Sequence, residues 1–322
     1  MSIDLSHLLS DFTIAQAIPK SIPPGINMEN WLVYTPIQRQ LVSHLLTLGV
    51  STMACGFVYF LVTLKRSAPR YQPSSVLSAV VMVSAFLILF RQLNGWLDAF
   101  EFDGRVWRLT VEELGTYTES TFNNGYRYLN WSIDVPLLLT QMLFMFDLTK
   151  GHKRRLRLKF VTAGLLMIYT GYIGQFFEVT NIPVFLIWGA ISTVFYVYIV
   201  FLVGQLMGRP RKQLPDKPKK MFMGVWWLLL ISWTLYPLAY LVPLGWQLYP
   251  AWGGWAGVTR QFLFTMADVF SKVIYGVLLA NIAQTRSTEE GYEPALEIQH
   301  GYDGNGSDLD REPAVRERRL DN

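Results

Sequence analysis

The chain is 322 residues long, 51% hydrophobic and 15% aromatic, and only 16% of its residues are charged, against roughly 25% in ordinary soluble domains. A single cysteine, Cys55, excludes an intramolecular disulfide, and four scattered histidines exclude a histidine–cysteine zinc site. The net charge of +4 is unevenly spread along the chain, basic in some connections and acidic in others.

Residues 3–17 (IDLSHLLSDFTIAQA) read as a short amphipathic helix, and SIPPGIN then breaks it, because proline cannot continue a helix. No charged start with a small-residue cleavage site opens the chain, so no removable signal peptide is expected. A bilayer-spanning helix takes about 20 apolar residues. Seven stretches qualify, at 36–65, 72–98, 123–148, 157–178, 182–207, 219–243 and 258–285. The fold expected is therefore an all-α membrane protein of seven transmembrane helices. Between the second and third spans, EFDGRVWRLTV has an Asp-Gly turn between aromatic and β-branched residues, the pattern of a small hairpin. The stretch from 287 onward is polar and acidic, the composition of a disordered tail. The expected division is an N-terminal helix and loop at 1–35, the membrane domain at 36–286 and a tail at 287–322.

Loop charge sets the orientation. Lys65, Arg66 and Arg70 lie between spans one and two. Lys150, Lys153, Arg154, Arg155, Arg157 and Lys159 lie at the third connection, and Arg209, Arg211, Lys212, Lys217, Lys219 and Lys220 at the fifth. The alternate connections are acidic or uncharged: Asp98, Glu101, Asp103, Glu112, Glu113 and Glu119 against Arg105 and Arg108 in one, Glu178 in the next, and no charge from Pro243 to Gly257. The basic loops and the C-terminus are therefore expected in the cytoplasm, and the N-terminus outside.

The seventh span holds Lys272 among apolar residues, with Asp268 four residues earlier on the same helix face. An ionisable group at bilayer depth is costly and marks a functional site. A buried amine beside a carboxylate suits a Schiff base, since burial favours its nucleophilic form; this helix alone is equally well explained by a structural ion pair. The third span, NNGYRYLNWSIDVPLLLTQMLFMFDL, adds Arg127, Asn130, Asp134 and Gln141. At about 100° per residue, Asp134, Gln141 and Arg127 fall about 40°, 20° and 60° from Asn130, a narrow polar stripe about 21 Å long. Such a stripe must face the bundle interior. Interhelical hydrogen bonding explains Asn130 or Gln141 singly, but explains poorly a carboxylate and a guanidinium sharing the stripe.

RYLNWSIDVPLLLTQ and DVFSKVIYG resemble the third and seventh helices of the microbial rhodopsins, and SAVVMVSAFL, TGYIGQFFEV, WGAIST and WTLYPLAYLVP resemble parts of the second, fourth, fifth and sixth. The resemblance covers 36–286. Three third-helix positions classify the ion carried in that family, and Asn130, Asp134 and Gln141 resemble the set of the light-driven sodium pumps. Outward proton pumps usually carry Asp-Thr-Asp or Asp-Thr-Glu there, and inward chloride pumps Asn-Thr-Gln or Thr-Ser-Asp.

The resemblance implies an outward sodium pump, a transporter rather than an enzyme, with all-trans retinal bound to Lys272 as a protonated Schiff base. It implies Asp134 as counterion and proton acceptor, with Ser84 hydrogen-bonded to it. Asn130 and Asp268 are implied as oxygen donors to a transient sodium ion, and Arg127 as a fixed outward positive charge. Gln141 stands where proton pumps keep an internal acid. Trp131, Trp233 and Tyr236 are implied as aromatics flanking the chromophore, with Pro237, Gly171 and Ser192 around it and Ser271 near the Schiff base. Glu178 and Arg260 are implied as a pair at the ion exit, Ser78 and Gln92 as inner and outer cavity residues, and Ala280 occupies an inner position that is often glycine. The setting implied is the bacterial cell (inner) membrane, with the lipid bilayer as partner, a homo-oligomer such as a pentamer, and no nucleic acid. A light-driven proton pump, also when sodium is lacking, and less readily a sensory photoreceptor, are the competing readings.

Overall fold

The structure, a computed structural model, describes residues 26–109, 121–208 and 216–292, the side chains of 216–218 excepted. The helix expected at 3–17, the loop residues Glu112, Glu113, Glu119, Arg209, Arg211 and Lys212, and the tail beyond 292 lie outside the described residues.

Seven helical crossings follow one another: α1 (Pro36–Val62), α2 (Gln72–Asp98), α3 (Gly125–Met142), α4 (Lys150–Gln175), α5 (Ile182–Gly208), α6 (Asp216–Leu248) and a composite seventh. The last consists of α7 (Gly254–Asp268), a π-helical turn (Val269–Ile274) and α8 (Tyr275–Glu289). Chain neighbours pack together, and α7 closes the ring against α1. Six of the crossings are long and apolar enough to traverse a bilayer. The remaining one, α3, is 18 residues long, carries the polar stripe, and is enclosed by α2 and α4. Only 17% of the most apolar window of α5 is buried within the protein, and Val194, Phe201 and Ile231 face outward at 66%, 58% and 63% exposure. A bilayer covers such faces.

Helix ends differ from the apolar stretches for physical reasons. α4 starts at Lys150, ahead of the expected 157, since hydropathy registers only the part of a helix in lipid and KGHKRRLRLK is helical but polar. α3 gives way to a 3-10 turn at Leu143–Met145, short of the expected 148. α6 runs on through Pro237 and Pro243 to Leu248; prolines are tolerated in spanning helices because packing neighbours re-satisfy the freed backbone groups. α8 continues past 286 to Glu289, because residues assigned to the tail find partners. Ser287 accepts a hydrogen bond from the Ala68 N–H at 2.8 Å, and the Tyr292 hydroxyl donates to the Lys65 carbonyl at 3.2 Å.

The end of the bundle at α1's start is capped by chain segments. Thr35 begins α1 with a capping box: its hydroxyl accepts from the Gln38 N–H and the Gln38 side chain accepts from the Thr35 N–H, with Pro36 in the first turn. The hairpin forms as expected, β1 (Glu101–Phe102) antiparallel to β2 (Trp107–Arg108), with Glu101 opposite Arg108. Asp103 accepts from the Arg105 and Val106 N–H groups in its turn, and these bonds, that from Val106 foremost, hold its carboxyl below the usual carboxylate range. Trp107 also pairs with Tyr34 by two backbone bonds of 2.7 and 2.9 Å, so hairpin and N-terminal strap form one lid. Gly257 permits this approach, since a Cβ there would lie 2.5 Å from the Tyr34 hydroxyl. Beneath the lid, Trp96 is fully buried and meets the rings of Tyr34, Phe100 and Phe122 at centroid distances of 5.0, 4.6 and 5.3 Å.

Trp96→Ala removes the ring on which the lid rests, at a cost of about 3–5 kcal/mol. The expected result is a melting temperature several degrees lower for the purified protein in detergent; an unchanged melt would show that the lid does not contribute to stability.

Candidate functional site

Eight charged side chains are buried among the described residues: Glu29, Arg127, Asp134, Glu178, Arg260, Asp268, Lys272 and Arg286. Four of them, Arg127, Asp134, Asp268 and Lys272, meet at the centre of the bundle and sum to zero charge, which is how ions survive away from water. The stripe predicted on α3 faces inward as expected, with Arg127, Asn130, Asp134 and Gln141 all at 3% exposure or less.

The Lys272 Nζ donates to Asp268 Oδ1 at 2.5 Å and to Asn130 Oδ1 at 3.0 Å, and lies 3.3 Å from Asp134 Oδ2. Asp268 is surrounded by donors: besides Lys272, Arg127 Nη1 at 2.5 Å, the Tyr236 hydroxyl at 2.8 Å and the Trp131 indole N–H at 3.4 Å. Ser271 shares the Tyr236 hydroxyl at 2.9 Å. Asp134 is the opposite case. It is fully buried, and neither of its oxygens accepts a hydrogen bond. Ser84 stands beside both groups: its oxygen accepts from Asn130 Nδ2 at 2.9 Å, and its own hydroxyl faces Asp134, as expected. Asn130 thereby turns its oxygen toward Lys272. Gln141 sits deeper, accepting from the Ser78 hydroxyl at 2.9 Å and leaving its own Nε2 without a partner.

Beside Lys272 lies a cavity of about 820 Å³, its open mouth included. Trp131, Gly171, Ser192, Trp233, Tyr236, Pro237, Ser271 and Lys272, all predicted to surround a ligand, line it together. Gly171 keeps it wide, since a Cβ there would come within 3.3 Å of the Ser192 hydroxyl oxygen. Tyr128, Met167, Gly189, Tyr240 and Phe264 also line the cavity and were not anticipated, because an apolar residue in a spanning helix carries no local sign of facing a ligand rather than lipid. The cavity suits a long apolar molecule joined at one end to the Lys272 amine.

Toward the lid, Arg260 pairs with Glu178 at 2.6 and 2.9 Å, as the sequence suggested, and also with Glu29 at 3.1 Å. Glu29 was missed. It is fully buried and also accepts from Asn124 Nδ2 at 2.8 Å and Gln261 Nε2 at 2.7 Å. Gln261 accepts from Arg127 at 3.2 Å, so one amide joins the outer cluster to the centre. Gln92, buried, lines a separate small cavity on this side with Asp98 and Tyr126. Ala280 is buried in α8.

A seven-helix membrane bundle with a central lysine, two buried carboxylates and an aromatic-lined cavity defines the class. The model of the bacteriorhodopsin-like protein family matches residues 40–286, and the chain belongs to that family as a multi-pass protein of the cell membrane. It is 25% identical to the bacteriorhodopsin of Halobacterium salinarum over 78% of this chain and 87% of that one. It is 20% identical to the green-light absorbing proteorhodopsin of the gamma-proteobacterium EBAC31A08, over 75% of this chain and 86% of that one. Among solved structures it resembles xanthorhodopsin, a light-driven ion pump with dual chromophore, with a TM-score of 0.71 and 30% identity over 81% of this chain and 99% of that one. A thermophilic rhodopsin gives a TM-score of 0.72 at the same identity and coverage.

Arg260→Gln leaves Glu29 and Glu178 buried without their cation, a loss of about 3–5 kcal/mol. A large fall in thermal stability in detergent is expected, with partial recovery in the double variant Arg260→Gln/Glu178→Gln. No recovery would mean that the packing of Arg260, rather than its charge, holds the lid.

Proposed function

We propose that the chain is a light-driven outward sodium pump with all-trans retinal attached to Lys272. The observation that carries this reading is the Asn130–Asp134–Gln141 stripe in the geometry found here, with an amide oxygen at 3.0 Å and an unbonded carboxylate at 3.3 Å from Lys272. The residues fit the chromophore: a lysine in the cavity wall, aromatic walls from Trp131, Trp233 and Tyr236, and Gly171, where a Cβ would crowd Ser192. Bound there, retinal supplies the absorption of visible light and the change of shape that displaces the Lys272 nitrogen.

The protein's own groups account for the rest. A sodium ion passing a cationic Lys272 nitrogen at 4 Å would meet about 4 kcal/mol of repulsion at an effective dielectric constant near 20. Moving the proton from that nitrogen to Asp134 removes both charges together. The donor pattern favours this direction: Asp268 is held as a carboxylate by Arg127, Tyr236 and Trp131, while Asp134 has no guanidinium or ring donor against it and is the freer acceptor. Asp268 and Asn130 then offer a carboxylate and an amide oxygen, hard ligands of the kind such cations take. Gln141 has no proton to give from the inner side, so the proton returns from Asp134 and the sodium ion makes the net crossing. Arg127 sets a positive charge outward of the site against return. The outer cluster of Glu29, Glu178 and Arg260 carries one excess negative charge, which favours a departing cation. The basic connections place α1–α2, α3–α4 and α5–α6 in the cytoplasm. A homo-oligomer belongs to the same proposal, read by native mass in detergent.

Outward proton transport is the second reading. The unbonded Asp134 beside Lys272 favours it, since that pair alone can relay a proton. Light-driven pH change in cells suspended in NaCl or KCl, with a protonophore present, separates the two: passive alkalinisation specific to NaCl indicates sodium export, and acidification abolished by protonophore indicates proton export.

Lys272→Ala is expected to give no visible absorbance after addition of all-trans retinal, and a coloured, pumping variant would remove the attachment site from Lys272. Asp134→Asn is expected to abolish transport and to shift the absorbance to the red or destabilise the pigment. Asn130→Ala is expected to form pigment and lose most sodium export in favour of protons, with the sodium dependence of the final absorbance recovery after a flash much reduced. An unchanged sodium dependence would make Asn130 an interhelical hydrogen bond and nothing more.

A further inference from the structure

Inward of Lys272 the buried face of the seventh crossing is apolar as far as Ala283. Leu279, Ala280, Ile282 and Ala283 of α8 are buried, and Met142, Leu143 and Met145 are buried at the facing end of α3. Their side chains offer a cation no oxygen. At the inner end stands Arg286, 7% exposed and the one buried charge inward of Lys272 among the described residues. Its guanidinium donates to the Met145 carbonyl at 2.6 Å and to Asp147 Oδ2 at 2.6 Å, and lies 5.5 Å from the Tyr71 ring centre. Around it, the Tyr71 hydroxyl donates to Glu290 at 2.6 Å, and Arg70 reaches both Glu290 and Asp147. Burial, together with the bond to Glu290, pushes the Tyr71 hydroxyl up to about 12, so it remains a donor at neutral pH. With the Ser287–Ala68 and Tyr292–Lys65 bonds, the end of α8 is fastened to both inner connections of the first half of the bundle.

We propose that this cluster is the inner gate of the ion path and that Arg286 is the positioning residue that holds it shut. The proposal rests on the chain being a light-driven ion pump and not on which ion it moves. Closed, the cluster packs Met145 against α8, and the fixed guanidinium repels a cation at the mouth. The four charges Arg70, Arg286, Asp147 and Glu290 sum to zero, and Asp147 is already 68% exposed on its side chain; its pair with Arg286 therefore separates into water at small cost. Arg286 alone must leave a buried seat. Lys272 and Arg286 belong to one helical run, about 21 Å apart at 1.5 Å per residue. Lys272 lies inside the π-helical turn, where the backbone departs from α-helical register and a helix is readily bent or rewound. A displacement of the Lys272 nitrogen is thus passed along α8 to the groups that fasten its end. Release of Arg286 opens the apolar stretch to water and leaves Asp147 and Glu290 sharing Arg70 alone, one net negative charge at the mouth.

The test uses the full chain with retinal in lipid nanodiscs, as wild type, Arg286→Gln, Arg286→Lys and Asp147→Asn. The dark absorbance and the early phases after a flash should match wild type. The last, ion-dependent recovery phase should quicken by roughly threefold or more in Arg286→Gln and Asp147→Asn, the size expected when a partly exposed ion pair is lost, and should return toward wild type in Arg286→Lys. In the dark, amide exchange at Ala68, held by Ser287, should rise in Arg286→Gln. Faster exchange and a lower melting temperature with every optical phase unchanged would reduce the cluster to a structural clamp and overturn the proposal. If Arg286→Gln gives no pigment, Asp147→Asn, altered at an exposed side chain, decides by the same two outcomes. Recording the phases in NaCl and KCl keeps the readings apart: a late phase indifferent to sodium yet altered in Arg286→Gln removes the sodium reading and leaves the gate.

Discussion

Everything central in this molecule follows from the need to keep ions inside a bundle whose outer faces are lipid-covered. An isolated charge at that depth is far more costly than any single contact can offset, so Lys272, Arg127, Asp268 and Asp134 appear as a neutral group. Its partners are shared out unequally. Asp268 takes donors from α3, α6 and its own helical run, while Asp134 has only Lys272, at 3.3 Å, and the Ser84 hydroxyl facing it. Two chemically identical carboxylates thus become a fixed one and a free one. That inequality, rather than the presence of two acids, is what a proton relay beside a cation path requires.

The centre is connected outward by amides and inward by apolar packing. Gln261 bridges Arg127 to Glu29, and Phe264 lies between the guanidinium groups of Arg127 and Arg260, at 5.2 and 5.7 Å. The outer half is therefore polar and cross-linked by hydrogen bonds. The inner half beyond Gln141 is mostly apolar along α8 and the end of α3 and ends in Arg286. The two halves call for different ways of opening: exchange of partners on the outside, and physical separation on the inside.

Much of this was legible in the sequence where the information was local. The α3 stripe needed only the 100° step of a helix, and the Lys272–Asp268 pair only a four-residue spacing in an apolar run. The cavity residues came from motifs resembling a family. What the sequence did not carry was contact between distant segments. Glu29 sits in a segment that reads as loop, and its partners lie up to 232 residues away. The π-helical turn has no marker either, as Val269–Ile274 contains neither proline nor glycine. The polar start of α4 escaped because hydropathy is blind to helix outside the lipid.

The burial of Glu29 also bears on the order in which the chain is assembled. The strap before α1 is the earliest described segment to be synthesised, yet its contacts are with Asn124, Glu178, Arg260 and Gln261, and the last two belong to the final crossing. The strap cannot dock when it emerges. It must wait on the far side of the membrane until α7 has been inserted, and Glu29 reaches its cation only then. The first part of the described chain to be translated thus completes its contacts only with the last crossing, and the Glu29–Arg260 pair is among the last to close.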